Sequence, residues 1–165
     1  MEIIFTIDKN DYDKSWPHSK RPSVRAVIFK GDKLAMVYST RDDYYKFPGG
    51  GVEENEAHHT ALIREVMEEV GLNVIPSSIK EYGEALLLCK SDLFDNTIFE
   101  QENFYYFCET DDSISEQSLD DYEAESGFTL RYVTIEEAIR TNERYDVDFL
   151  IRETGVLRLL AEQIK

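Results

Sequence analysis

The chain has 165 residues, of which 42% are hydrophobic and 32% charged, and its 34 Asp+Glu against 18 Lys+Arg leave a formal charge of -16. At this length roughly two thirds of the unfolded surface is buried on folding, so one domain over 1–165 is expected, with no need of a disulfide or structural metal to complete its core. The charge excludes a broad surface for non-specific nucleic-acid binding, and an acidic amino terminus without a long apolar run predicts no membrane insertion, no secretion and a cytoplasmic protein.

The elements read as follows in chain order. Asp8 to Asp13 has acidic spacing but does not fit a calcium loop, because Asp13 stands where the loop needs glycine. Trp16 and His18 are open to two readings, a cover for a bound base or a surface-packed strand. Val24–Phe29 and Leu34–Ser39 are apolar, β-branched runs around Lys30-Gly31-Asp32-Lys33, which predicts a hairpin. Alternation places Arg25 on the same strand face as Val27 and Phe29, where a cation needs a partner. Phe47-Pro48-Gly49-Gly50-Gly51 cannot be regular structure.

A helix is predicted from about Asn55, as N-cap, to Val70, with Gly71 as its stop. Leu62, Ile63, Val66, Met67 and Val70 fall on one arc and Glu65, Glu68 and Glu69 on another, so one face should pack and the other display three carboxylates. His58 and His59 on its first turn are expected to be solvated. Glu81–Lys90 and Thr97–Glu109 read as strands, with the aromatics from Phe104 to Phe107 as core. Residues 110–126 are acidic and polar and read as a loop, followed by a strand over Phe128–Val133. Thr134-Ile135-Glu136-Glu137 fits a capping box for a helix to about Thr141. A last helix starts near Asp148, with Gly155 as its weak point. Cys89 and Cys108 lack metal-ligand spacing and are expected as free thiols.

The chemistry concentrates between Gly49 and Leu72. Glutamates at i, i+3 and i+4 lie side by side on a helix and repel unless a cation sits between them. Alone this is a solvated acidic face. Two features favour more: the glycine turn can bring a backbone carbonyl to an ion, and from Lys20 to Lys46 seven cations face three anions, a local balance of +4. Clustered hard oxygens suit Mg²⁺ or Mn²⁺, which bridge to phosphates. Tyr44, Tyr45 and Phe47, beside the turn, are the candidates for stacking on a ligand.

Gly50, Glu56, Arg64, Glu65, Val66, Glu68, Glu69, Gly71 and Leu72 fit GX5EX7REUXEEXGU without a departure. In this the chain resembles the Nudix hydrolases. The resemblance implies an α/β fold, a mixed β-sheet in an α/β/α sandwich. It also implies divalent-metal-dependent hydrolysis of a nucleoside diphosphate-X by water attack on a diphosphate phosphorus, giving a nucleoside monophosphate. By the same resemblance Glu65, Glu68, Glu69 and the Gly49 carbonyl are metal ligands and Arg64 orients a glutamate. Glu56, Gly50 and Gly71 are structural members of the box. The general base is Glu65 or a glutamate on a later loop, Glu125 and then Glu123. Arg25, Lys46 and Phe47 are the expected substrate contacts.

Three subgroup features are missing. Where a proline would suggest ADP-ribose hydrolases stand Leu87 and Leu88. Where a tyrosine would suggest dinucleoside polyphosphate hydrolases stand Leu88, Cys89 and Lys90, and no SQPWPFP-like segment follows the box. A nucleoside triphosphate or modified nucleotide is left as the favoured substrate, with ADP-ribose and dinucleoside polyphosphates as alternatives. A regulatory Nudix domain without turnover is the main non-enzyme alternative, although no box carboxylate is missing. An isopentenyl diphosphate isomerase would need a cysteine before the box, and none precedes Cys89. A homodimer is compatible with the sequence.

Overall fold

Residues 1–164 are described in a computed structural model; Lys165, the end of the expected 1–165 domain, lies outside the described residues. The strands are β1 (Ile3–Asp8), β2 (His18–Val27), β3 (Phe29–Lys30), β4 (Lys33–Ser39), β5 (Tyr44–Lys46), β6 (Leu72–Val74), β7 (Lys80–Lys90), β8 (Ile98–Phe107), β9 (Thr110–Ile114) and β10 (Phe128–Val133). The helices are α1 (His58–Val70), α2 (Asp121–Glu125), α3 (Ile135–Asn142) and α4 (Asp148–Gln163).

The largest sheet is mixed, in the order β1-β7-β8-β2, with β1 parallel to β7, β2 parallel to β8, and β7 antiparallel to β8. A second sheet centres on β4, which pairs with β10 on one edge and with β3 and β5 on the other. The expected hairpin therefore divides. Val24–Val27 ends the long β2, and only Phe29–Lys30 folds back onto β4, so the chain passes from one sheet to the other at Ile28. Helix α1 covers a core that includes Val24, Val37, Leu62, Val66, Tyr106 and Phe128. Helices α3 and α4 close the opposite side over Val27, Met36, Phe47, Tyr105 and Leu157. This is the expected α/β/α sandwich.

Helix α1 ends as predicted, with Gly71 left-handed at φ 71° and its N–H bonded to the Met67 carbonyl. Its start differs. Asn55 has a φ of 63° and belongs to the preceding turn, and the helix opens three residues later at His58 behind Ala57, which supplies no side-chain cap. The acidic 110–126 segment is not simply a loop. Thr110–Ile114 pairs with β6, and Asp120 caps α2 by accepting from the Glu123 N–H while the Glu123 side chain accepts from the Asp120 N–H. The strand rule fails here because β9 is a polar edge with little apolar content. Thr134 does cap α3, and both cysteines are free. Among the described residues no helix is long and apolar enough to cross a membrane.

Gly155 is a seat rather than a weak point. A Cβ there would stand 2.4 Å from the Phe5 ring, so the absent side chain is what lets β1 lie against α4. Gly155→Ala gains about 1 kcal/mol of helix propensity but overpacks the contact at a typical cost of about 1–3 kcal/mol. We expect a net loss of about 1 kcal/mol in urea unfolding, reversed to a gain when Phe5→Ala opens the space.

Candidate active site

The Phe47–Gly50 turn follows β5 and runs beside β2. Backbone bonds hold it in place: the Ala26 N–H donates to the Pro48 carbonyl and the Val24 N–H to the Gly50 carbonyl. Gly49 has a φ of 142°, and a Cβ would stand 2.0 Å from the Val24 carbonyl oxygen, so only glycine lets the two chains lie this close. Three ionised side chains complete the turn. The Phe47 N–H donates to Glu153 Oε2 at 2.8 Å, the Gly49 N–H to Glu69 Oε2 at 2.9 Å, and Arg25 Nη1 to the Gly49 carbonyl at 2.5 Å. The partner that Arg25 needs is thus the carbonyl expected to ligate a metal.

Helix α1 does not show all three glutamates to water. Glu69 is 1% exposed and lies in the buried stripe with Leu62, Val66 and Val70, while Ile63 and Met67 are only half-buried. The stripe rotates because Glu69 finds a substitute for hydration: Gly49 N–H on one oxygen and the Lys46 ammonium on the other, the latter an ion pair without hydrogen-bond alignment. Lys46 is mostly buried and lies 4.7 Å above the Phe128 ring.

Arg64 organises the rest of the box. Its Nε and Nη2 donate to the two oxygens of Glu56, each at 2.8 Å, and its Nη1 to Glu65 at 2.7 Å and Glu68 at 3.3 Å. It also reaches the Gly51 carbonyl at 3.2 Å. The bidentate partner holds Glu56 well below the usual carboxylate range, at about 2, and raises Arg64 further. Burial pushes Glu65 upward against the opposing pull of Arg64. A Cβ on Gly50 would stand 2.2 Å from the Glu65 carboxylate, so a larger residue here would push that side chain away from Arg64.

These contacts correct the expectation of a helix face that displays three carboxylates. Glu65 and Glu68 share Arg64, Glu69 turns to Lys46, and among the described residues no three acidic or imidazole groups already form a metal cage. The expected donors are nonetheless of the kind that takes a hard divalent ion. All are hard oxygens, and one nitrogen already lies within 3.3 Å of oxygens from both Glu65 and Glu68, where cationic charge is accepted.

The remaining expected residues separate. Phe47 is fully buried, edge-on to Tyr105 with centroids 5.4 Å apart, and offers no face to a ligand; Tyr44 and Tyr45 are buried too. Arg25 is nearly buried and spends its guanidinium on the turn. Glu125 is exposed beside Arg41, whereas Glu123 is half-buried and feels both Glu69 and Lys46. Burial raises Glu123, and its capping bond to Asp120 fixes it. His58 is not simply solvated, for its ring lies 4.5 Å from that of Phe104 and bonds to the Tyr106 hydroxyl.

Glu153 was missed in the sequence, although a signal existed. It lies four residues after Phe149 and three and four before Val156 and Leu157, so helical periodicity puts a carboxylate on the apolar stripe of α4. The Asp120-x-x-Glu123 capping box was a comparable signal for Glu123.

Fold and site together define an α/β/α sandwich that presents an acidic helix and a buried lysine at one glycine turn. The chain belongs to the NUDIX family, whose domain model matches residues 19–152. It is similar to the RNA pyrophosphohydrolase of Hydrogenovibrio crunogenus, 42% identical over 64 residues, which are 38% of this chain and 38% of the relative. The RNA pyrophosphohydrolase of a Sulfurovum species is 39% identical over 61 residues, 33% of this chain and 39% of the relative. The chain thus spans about two fifths of the length of these curated relatives. A NUDIX hydrolase from Nitrosomonas europaea shares the fold with a TM-score of 0.62 at 21% identity, over 87% of this chain and 90% of that one. A MutT NUDIX hydrolase from Burkholderia pseudomallei does so with a TM-score of 0.56 at 16% identity, over 90% and 100%.

The Glu56–Arg64 pair sets a pH dependence. Because the folded carboxyl titrates at about 2, below its ordinary value of 4.5, its stabilisation is present above 4.5 and lost as pH falls through about 2. Glu56→Gln should cost about 2 kcal/mol near neutral pH, the scale of a charge-assisted bond. The gap between native and variant urea midpoints should close as pH falls toward 2.

Proposed function

We propose that the chain is a cytoplasmic pyrophosphohydrolase that uses Mg²⁺ or Mn²⁺ to cleave a nucleoside diphosphate-X, with a nucleoside triphosphate or modified nucleotide favoured, and releases a nucleoside monophosphate. The observation that carries this is the glycine turn seated on Glu69, with Lys46 between the acidic helix and the adjoining strand. Glu65, Glu68, Glu69 and the Gly49 carbonyl would hold the metal. When bound, it neutralises phosphate charge and lowers the pKa of a coordinated water.

The chain's own residues supply the remainder. Lys46, once released from Glu69, would meet a phosphate oxygen, and Arg64 bonds both Glu65 and Glu68 from one guanidinium. Arg25 acts on the substrate only through the turn it holds. Glu65 is the general base we favour, since burial and Arg64 fix it in place. Glu123 is the second reading, carried by its proximity to Glu69 and Lys46. The curated relatives are named for RNA substrates; a 5′-triphosphate on RNA presents the same polyphosphate group as a free nucleotide.

The test is a panel of nucleoside triphosphates, modified nucleotides, ADP-ribose, dinucleoside polyphosphates and short 5′-triphosphate RNA, with products separated chromatographically. We expect nucleoside monophosphate from a free nucleotide, lost on adding EDTA and restored by Mg²⁺ or Mn²⁺. Turnover that survives chelation removes the metal from the reading.

For the base, Glu65→Gln at saturating Mg²⁺ should lower kcat by about 10²- to 10⁴-fold. Glu125→Gln, on an exposed side chain, should stay within about threefold, a difference of under 1 kcal/mol. A large loss in Glu123→Gln with a small one in Glu65→Gln would transfer the role to Glu123.

A further inference from the structure

Helix α4 carries a charged pair where an apolar stripe runs. Glu153 is fully buried and Arg152 is 4% exposed, and the two are joined at 2.8 Å between Arg152 Nη2 and Glu153 Oε1. Burying two ions costs several kcal/mol each before their attraction is counted, and apolar side chains in their place often stabilise a fold. A core needing only cohesion would not use them. The second oxygen shows where the carboxylate is directed: Glu153 Oε2 accepts the Phe47 N–H at 2.8 Å, a contact across 106 residues.

That N–H lies one residue after Lys46 and two before Gly49. The adjacent Pro48 has no N–H, so Glu153 holds the entry to the turn while Arg25 and Glu69 hold Gly49. The pair is itself braced. Arg152 Nη1 reaches Gln101 at 3.4 Å, and the Tyr105 ring, fully buried, packs edge-on against Phe47. The Tyr105 hydroxyl lies beside the Arg152 guanidinium, so a further buried polar group packs against the pair.

We propose that Glu153, which lies outside the box, is a positioning residue: by fixing the Phe47 N–H it sets where the Gly49 carbonyl and the Lys46 ammonium stand relative to α1, and so how tightly the acidic helix and the turn together take a divalent ion. Arg152 serves it by compensating its charge. The inference rests on the metal reading above and adds a second layer to it. Groups that orient metal ligands from outside typically change metal affinity by about 10- to 100-fold when removed.

Two variants separate position from charge. Glu153→Asp keeps the negative charge for Arg152 but withdraws the acceptor by one methylene, about 1.5 Å. The double variant Arg152→Met/Glu153→Gln removes both charges and leaves an amide oxygen within reach of the Phe47 N–H. Each is measured by direct Mn²⁺ binding without substrate, by amide hydrogen exchange over residues 44–52, and by thermal melting.

The expected result is a ranking. Glu153→Asp weakens Mn²⁺ binding about 10-fold or more and accelerates exchange at the turn, whereas the double variant stays within about threefold of native in affinity, under 1 kcal/mol. A role in core cohesion alone predicts another pattern, with Mn²⁺ affinity unchanged in both variants whatever their melting temperatures, and that result overturns the proposal. So does weak binding in the double variant with native binding in Glu153→Asp, which would make charge the decisive property. If the native chain takes no Mn²⁺ while its turn exchanges slowly, the metal reading falls and this inference with it.

Discussion

A short irregular turn in the interior has polar backbone groups that must be satisfied, and the Phe47–Gly50 segment does so with backbone bonds to β2 and with charged side chains. Glu153, Glu69 and Arg25 come from α4, α1 and β2 and meet at a few consecutive residues. A charge-assisted bond to a buried amide is stronger than a neutral one, and losing either partner leaves an unpaired group in a low dielectric. The three elements are therefore locked to one another through the turn, and the rest of the site inherits its geometry from that lock. Lys46 belongs to the strand entering the turn, Gly50 leaves it against Glu65, and Arg64 ties the exit at the Gly51 carbonyl.

Charge placement follows the same logic. In a chain of -16, cations are scarce, and two are spent on the glutamates of the box. Arg64 binds three glutamates and Lys46 one. Without them, carboxylates at i, i+3 and i+4 would repel, and Glu69 could not enter the core. The protein cations make the acidic helix foldable in its own right. They also create a competition, since any metal entering the site must displace or share with groups already bonded there.

The sequence made the box legible because glycine, arginine and glutamate stand at fixed spacings, and the end of α1 at Gly71 was legible because a left-handed stop has few substitutes. The α3 cap could be read on the same local grounds, whereas the mixed sheet was expected only from the resemblance that the box carries. What could not be read depended on distant partners. Asn55 looks like a cap only until its positive φ assigns it to a turn. Glu69 looks solvated until Gly49 and Lys46 are seen to replace water. Phe47 looks like a ligand platform because it neighbours the glycines, yet it is fully buried beside Tyr105. β9 is polar except for Ile114 and pairs where β6 offers an edge. In each case tertiary context overrode a correct local rule.

The contact between Glu153 and Phe47 also orders events in time. The box is complete by Leu72, but the acceptor for the turn arrives 106 residues after its donor, on the final helix, the same helix that receives β1 at Gly155. Contacts of such sequence separation form late, because the loop between them must close first. During synthesis the acidic helix can form while the turn above it still lacks one of its three anchors. The turn therefore has all three anchors only once α4 is in place.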